Sequence, residues 1–445
     1  MTFHRTLLIL ISIALALAFV ACADSEQAPQ GGDSESGGSS SPPGEPQRGG
    51  TLTLLGGDPP TLDPALVSDQ VSSVYVVEMF SGLVRIGDDL GVEPDIARDW
   101  QVTKDGTVYT FDLREDAVFS DGSPITAEDF KWSLERAGRP ETESPVAELY
   151  LGDIVGMQDV IDGEAEHASG IEVLGDHTLR ITIDGPKAYF LAKLTYPTAY
   201  VVKQENVEGD SSGSGGSGVW TDQPVTSGPF VLDEYQIGQR LTLARNENYH
   251  GREAYLDRVE YNLAGGVPLA MYEAEEIDVA FVGLSDVERV QNPDDPLNAD
   301  LVEVPPSFIV QYVGFDVTEP PLDDRSFRQA LVHAVDKETL AEEVFAGLVR
   351  PADGVLPPGF PGFNEDLQPL EYNPERAQRL LEESSYPSLS EREKRIVLTA
   401  PGTGTSPGPT LEAVTDQWDR SLGVDVEIQQ VEWATYLRDA QRNRL

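Results

Sequence analysis

Alternating hydrophobic and polar residues predict a β-strand in the first third of the chain. Tyr109, Phe111 and Leu113 alternate with Thr110 and Asp112. This two-residue period is typical of a strand that buries one face and exposes the other.

A helix is predicted soon after this strand. Thr126 and Asp129 have the spacing of a capping box, in which each side chain accepts a hydrogen bond from the backbone of the other. Phe130, Leu134 and Ala137 then lie on one helical face. The pattern therefore predicts an amphipathic helix that begins at Thr126.

Two further helices are predicted in the second half. Hydrophobic residues recur there at positions i, i+3, i+4 and i+7, as in an amphipathic helix: Phe327, Ala330, Leu331 and Ala334. Asp336 is typical of a cap for a second helix, which Gly347 would end.

The C-terminal region alternates strand and helix patterns. Residues 396–399 and 424–430 read as strands, 411–421 as a helix, and a last helix is predicted from Trp433. Such alternation predicts a parallel βαβ unit. The body after residue 50 is too long for one compact core, so two or three domains are expected.

The N-terminus has the pattern of a secretory signal. An apolar run at 7–20 is short for a membrane span, and it ends in Ala21 and Cys22, the only cysteine of the chain. Residues 23–50 are almost entirely Ser, Gly, Pro and other polar residues. Such a segment cannot bury enough apolar surface to fold, so a disordered tether is predicted.

Charge excludes one class of partner. The chain has 77 acidic and 31 basic residues and a net charge of −46, which repels nucleic acid, so no nucleic-acid partner is expected. Since the acidic residues are spread over the whole body, we interpret them as an adaptation for solubility or salt.

Catalytic and cofactor motifs are weak. Gly209, Ser211 and Gly213 match the serine-hydrolase elbow, but polar residues precede them and a Gly/Ser tract follows, which favours a loop. The five histidines lack ligand spacing, and no glycine-rich phosphate loop with its lysine occurs. We therefore predict no enzyme activity, no metal site and no cofactor.

Several ordered segments resemble one family. They are GGTLTLLGGDPPTLDP at 49–64, PDIARDWQVTKDGTVYTFDLREDAVFSDGSPITAEDF at 94–130 and PPLDDRSFRQALVHAVDKETL at 320–340. From residue 49 onward the chain resembles the family 5 extracytoplasmic solute-binding proteins of bacterial ABC importers, the oligopeptide- and dipeptide-binding class.

This resemblance implies a two-lobed α/β fold of the periplasmic-binding-protein type (type II), with discontinuous domains. Lobe 1 would comprise 51–82 and 195–305, an extra domain 83–194, and lobe 2 306–445. The family continues for on the order of a hundred residues beyond the match at 431–437, much of a typical domain. We therefore expect both lobes to be incomplete and the sequence to be a C-terminally truncated form.

The resemblance also suggests site residues. Ser68, Asp69 and Gln70 match the extended segment that peptide binders align along the ligand backbone. Val146 stands where an oligopeptide binder has a tyrosine after a Ser-Pro pair, which leaves other ligands open, including oligosaccharides and nickel complexes.

The expected partners are a peptide or similar small solute and ABC permease subunits, with the chain in the extracytoplasmic space. The same two-lobed clamp also serves ligand-sensing systems, and the sequence leaves transport and sensing open. Residues 19–22 resemble the lipobox of bacterial lipoproteins. The resemblance thus implies a signal peptide at 1–21, a lipid on Cys22, a tether at 22–50 and a membrane-anchored protein.

The lipid anchor gives a direct test. Expressed in a bacterium, the chain is expected to fractionate with membranes, and Cys22→Ser is expected to release it or to block its processing, because the acyl chains hold it there. Mass spectrometry of the mature N-terminus checks this. An unmodified Cys22 in secreted protein would show that the lipoprotein prediction is wrong.

Overall fold

The structure, a computed structural model, describes residues 46–209, 220–304, 308–360, 362–387, 395–402 and 407–441. The fold reported below belongs to the unit Gln47–Leu445. The predicted signal peptide, Cys22, most of the tether and the Ser211–Gly213 part of the hydrolase motif lie outside the described residues.

The strands of the described residues are β1 Thr51–Leu55, β2 Val84–Ile86, β3 Val92–Pro94, β4 Ala97–Val102, β5 Val108–Leu113, β6 Ile171–Gly175, β7 Thr178–Thr182, β8 Phe230–Gln236, β9 Arg240–Arg245, β10 Arg258–Asn262, β11 Arg395–Pro401 and β12 Asp425–Val431. The helices are α1 Gln70–Met79, α2 Ala127–Gly138, α3 Ala147–Leu151, α4 Met157–Ile161, α5 Phe190–Lys193, α6 Gln204–Gly209, α7 Pro268–Glu273, α8 Val287–Gln291, α9 Arg325–His333, α10 Lys337–Thr339, α11 Pro374–Glu383, α12 Pro409–Leu422 and α13 Trp433–Gln441. None of these helices has both the length and the apolar character needed to cross a bilayer.

The first sheet has the strand order β1-β10-β9-β8. β1 pairs with β10 in parallel, and the other pairs are antiparallel. Tyr75 and Met79 of α1 share a hydrophobic cluster with Leu241 and Leu243 of β9. This cluster therefore fixes α1 against the sheet.

The second sheet, β4-β5-β7-β6, is antiparallel and confirms the first two predictions. β5 buries alternate residues, Tyr109, Phe111 and Leu113. At the start of α2, the Asp129 side chain accepts from Thr126 N at 2.7 Å and Thr126 Oγ1 accepts from Asp129 N at 3.4 Å, so the predicted capping box is present.

The third sheet confirms the predicted βαβ unit. β11 and β12 pair in parallel, and α12 connects them. A hydrophobic cluster joins α9, α11 and α12 to this unit through Phe327, Leu331, Ala377, Trp418 and Val424. Helix α9 thus buries the face that its hydrophobic period predicted.

The predicted helix after Asp336 differs from expectation in one respect. Asp336 caps it by accepting from Thr339 N at 3.1 Å, but the short α10 then widens into a π-helical turn, Leu340–Val344. Phe345 N donates to Leu340 O, five residues back. Ala346 and Gly347 both have positive φ and end the segment, as the glycine predicted.

Most of the buried hydrophobic residues in the described ranges belong to three clusters. One joins the second sheet to α2, one joins the first sheet to α1, and one surrounds the β11–β12 pair. The domain boundaries at 82, 194 and 305 stay predictions.

A partly buried carboxylate lies on α1. Burial raises the pKa of Glu78, since its charged form loses water. The pKa of Tyr261 rises to about 12, first through its own burial and then through the negative charge of Glu78.

This carboxylate predicts a pH dependence. Because the folded-state pKa is raised, the folded state favours the protonated acid, and the free energy of unfolding falls as pH rises through that pKa. Glu78→Gln stays neutral, so it is expected to raise the Tm at about pH 8. The gain should shrink as pH approaches the ordinary carboxyl value of about 4.3.

Thermal unfolding followed by circular dichroism checks this, with Glu128→Gln as the control. Glu128 is exposed on α2, so its substitution should change the Tm much less. An unchanged Tm for Glu78→Gln across this pH range would contradict the assignment.

Candidate ligand-binding site

The predicted segment 68–70 lies at the N-terminus of α1. Asp69 is in an extended conformation and caps the helix, with its Oδ1 accepting from Ser72 N at 2.9 Å. Gln70 is the first helical residue and is exposed, whereas Ser68 is half-buried. Residues 64–70 pass from a 3-10 turn through extended backbone into this helix, and we call this segment the wall.

The structure brings this wall close to the second predicted segment. Ser144 Oγ donates to Ala65 O at 2.5 Å, and the same oxygen accepts from Ala147 N at 3.2 Å. Val146, half-buried, precedes α3 directly. One serine therefore connects the chain before Asp69 to the start of α3.

Two tyrosines line the same region, and the sequence did not identify them. The rings of Tyr150 and Tyr196 stack with centroids 3.8 Å apart and planes 9° apart, and Tyr196 OH donates to Val67 O at 3.1 Å. Burial, followed by the influence of Tyr150 and of the Asp69 charge, raises the pKa of Tyr196 to about 12. The sequence carried one signal for Tyr150. It lies four residues after Val146, and residues four positions apart share a helix face.

A buried ion pair holds the beginning of the wall. Arg136 donates from Nη1 to Asp63 Oδ1 at 2.9 Å and from Nη2 to Oδ2 at 2.5 Å. The arginine and aspartate side chains are 12% and 7% exposed. Asp63 also accepts from Ala65 N at 3.0 Å, which caps the 3-10 turn Pro64–Leu66. Arg136 thereby joins this turn to α2.

A residue from the far end of the chain faces the wall. Trp433 lies two residues after the end of β12. Its Nε1 donates to Asp69 Oδ1 at 3.4 Å. Tyr436 stacks near Trp433, with centroids 6.0 Å apart and planes 13° apart. Ligands of open α/β sheets bind beyond the carboxyl ends of parallel strands, so this position at the end of β12 was a signal that sequence reasoning missed.

The chemistry of these groups is non-covalent. They offer a carboxylate, backbone amides and carbonyls, and aromatic faces. Within the described ranges, no group of three or more His, Cys, Asp and Glu side chains could hold a metal. Two cavities, of about 310 and 350 Å³, are lined by residues from 308 onward and not by residues 68–70 or Val146.

A protein-family model matches most of the chain. The family described as "Bacterial extracellular solute-binding proteins, family 5 Middle" matches residues 91–445. The match covers the second and third sheets and includes Val146 and Trp433.

Two curated relatives are similar over most of this chain. The probable deoxycholate-binding periplasmic protein YgiS of Escherichia coli is 30% identical over 401 residues, which are 86% of this chain and 71% of the relative. The dipeptide-binding protein DppE of Bacillus subtilis is 27% identical over 447 residues, which are 96% of this chain and 78% of the relative.

The fold matches a solved structure of the murein tripeptide-binding protein MppA of Escherichia coli. The TM-score is 0.76 at 25% identity, covering 88% of this chain and 77% of MppA. The unliganded open form of the same protein gives a TM-score of 0.57. The arrangement of this chain is therefore more similar to the first MppA structure than to the open form.

The buried ion pair gives a prediction for the wall. Arg136→Ala leaves the Asp63 carboxylate buried without its partner, which is expected to cost roughly 3–5 kcal/mol of stability. Arg139→Ala, at the same end of the helix, removes a contact with the Trp132 ring and should cost about 0.5–1 kcal/mol. Urea denaturation of both variants tests this, and equal losses would contradict the role given to Arg136.

Proposed function

This chain belongs to the bacterial extracellular solute-binding proteins of family 5, and we propose that it captures short peptides between two lobes for delivery to an ABC permease. Members of this family are solute-binding proteins and not enzymes. The function of this chain is therefore to bind and release a solute unchanged.

The observation that carries the proposal is the meeting of two distant segments at one carboxylate. Asp69 stands on the wall that the family resemblance assigned to the ligand, and Trp433 reaches it from the carboxyl end of β12 at 3.4 Å. A ligand bound between them would contact both lobes. Closure of the lobes would then depend on ligand, and a permease could recognise the closed form.

Peptides fit this wall for a physical reason. Its backbone is extended at Val67 and Asp69, and an extended segment offers N–H and C=O groups that can pair with the main chain of a peptide. DppE and MppA are named as dipeptide- and murein tripeptide-binding proteins. Recognition through the main chain accepts many side-chain sequences.

A second candidate ligand is an amphipathic steroid. YgiS is named as a probable deoxycholate-binding protein. The cavity of about 310 Å³ is lined by apolar and aromatic side chains that include Phe308, Leu356 and Phe360, and such a lining suits an apolar ring system.

We also propose the anchor and the domain division. The signal peptide, the lipid on Cys22 and the tether would hold the body at the outer face of a membrane. The three hydrophobic clusters support an extra domain at 83–194 between the two parts of lobe 1, with lobe 2 from 306.

Ligand-dependent stability tests the proposed function. Trialanine is expected to raise the Tm of the 445-residue chain, because ligand that binds only the folded state stabilises it by about 2.7 kcal/mol at a hundredfold excess over Kd. Small-angle scattering should show compaction, and mass spectrometry should recover the peptide intact. A shift with deoxycholate alone would favour the steroid, and hydrolysis of the peptide would contradict a binding function.

A further inference from the structure

The three hydrophobic clusters lie on either side of residue 305. Two of them use only residues up to Leu263, and the third uses only residues from Val313 onward. Among the described residues, none of these clusters contains side chains from both parts of the chain. The first part, before residue 305, and the second part, after residue 307, can therefore move relative to each other without exposing a shared core.

The hydrogen bond from Trp433 Nε1 to Asp69 Oδ1 crosses between these two parts. Each end of it is fixed within its own part. Asp69 is 9% exposed, and its Oδ1 also accepts from Ser72 N at 2.9 Å in the cap of α1. Trp433 begins α13, where the Glu432 side chain accepts from Ala434 N at 2.8 Å. Because both groups are held in place, the bond can form in only one relative position of the two parts.

That position differs from the open form of a relative. The unliganded open form of MppA gives a TM-score of 0.57 with this chain, against 0.76 for the other MppA structure. The bond between Trp433 and Asp69 therefore belongs to an arrangement of the two parts that is unlike the open one.

The length of this hydrogen bond indicates how strongly it acts. Bonds of this kind are usually about 2.7–3.2 Å long, so at 3.4 Å it is a weak one. A net hydrogen bond in a protein typically changes an equilibrium by about 2- to 12-fold. A contact of this strength shifts the balance between open and closed arrangements without locking it, so closure still responds to ligand.

We propose that the hydrogen bond between Trp433 and Asp69 is a latch, which favours the closed arrangement of the lobes before any ligand is bound. This inference rests on the proposed clamp function and adds to it a closed population of the empty protein. While the closed form is the minor one, the latch would raise the affinity for every ligand of that form by the same factor, because apparent affinity scales with the population of the competent form.

Spin labels on the two parts measure the latch in the empty protein. Cys22→Ser removes the only cysteine of the full 445-residue chain, and Glu128→Cys and Glu375→Cys then place one label on each part. Both glutamates are exposed, on α2 and on α11. Double electron–electron resonance without ligand gives the populations of the short and the long distance, and hence the ratio of closed to open protein.

Two substitutions in this labelled protein each remove one end of the latch. Trp433→Phe keeps an aromatic ring but removes the donor, and the ratio of closed to open protein is expected to fall about 2- to 10-fold. Asp69→Ser keeps a good helix cap, but its shorter side chain should lose the acceptor and give a similar fall. Since both substitutions break the same bond, the double variant should fall no further than either single variant.

Trp132→Phe is the matched control. Trp132 is a half-buried residue of α2, and its indole N–H has no hydrogen-bond partner. The same change of side chain therefore removes no hydrogen bond there, and the ratio of closed to open protein should stay as in the wild type.

The outcomes separate the latch from peptide binding. An unchanged ratio in Trp433→Phe, a wild type with only the long distance, or independent effects of the two substitutions would overturn the latch and leave peptide binding intact. Titration with trialanine should show an affinity that falls in Trp433→Phe by the same factor as the ratio. Weaker binding at an unchanged ratio would assign Trp433 to the ligand and overturn the latch. Absence of trialanine binding, with the expected fall in the ratio, would overturn the peptide assignment and support the latch.

Discussion

The buried pair of Asp63 and Arg136 is the constraint on which the candidate site depends. An ionised carboxylate this deeply buried is stable only with a well-placed partner, and the two guanidinium nitrogens bind both of its oxygens. Since Arg136 belongs to α2 and the Thr126 capping box fixes where that helix begins, the turn at 64–66 has one position relative to α2. The wall begins with this turn and runs to Gln70 at the start of α1.

The opposite side depends on hydrophobic burial. Trp418 of α12 lies in the cluster around β11 and β12, and its Nε1 donates to Leu331 O at 2.9 Å. That cluster fixes the βαβ unit, and the parallel strands determine where their carboxyl ends lie. Trp433 follows β12 at that end. One side of the site is thus held by an ion pair and the other by a packed core. Among the described residues, a long hydrogen bond from Trp433 to Asp69 joins the two sides.

Individual strands and helices could be predicted from the sequence, because contacts between residues a few positions apart determine them. The alternation at 109–113, the capping box at Thr126 and the helical period from Phe327 each describe contacts within a few residues. The pairing of Asp69 with Trp433, which are 364 positions apart, leaves no such pattern. The contacts of Ser144 and Tyr196 could not be predicted for the same reason, since Ala65 and Val67 accept through backbone carbonyls, which every residue carries.

The main-chain contacts of the wall affect how the site can change in evolution. Ser144 and Tyr196 hold the wall by main-chain oxygens and not by side chains. The side chains of Leu66 and Gln70 therefore take no part in these two contacts. Substitutions there could alter which ligand is bound without lowering the stability of the fold. Ligand specificity could therefore change in evolution while the protein continues to fold.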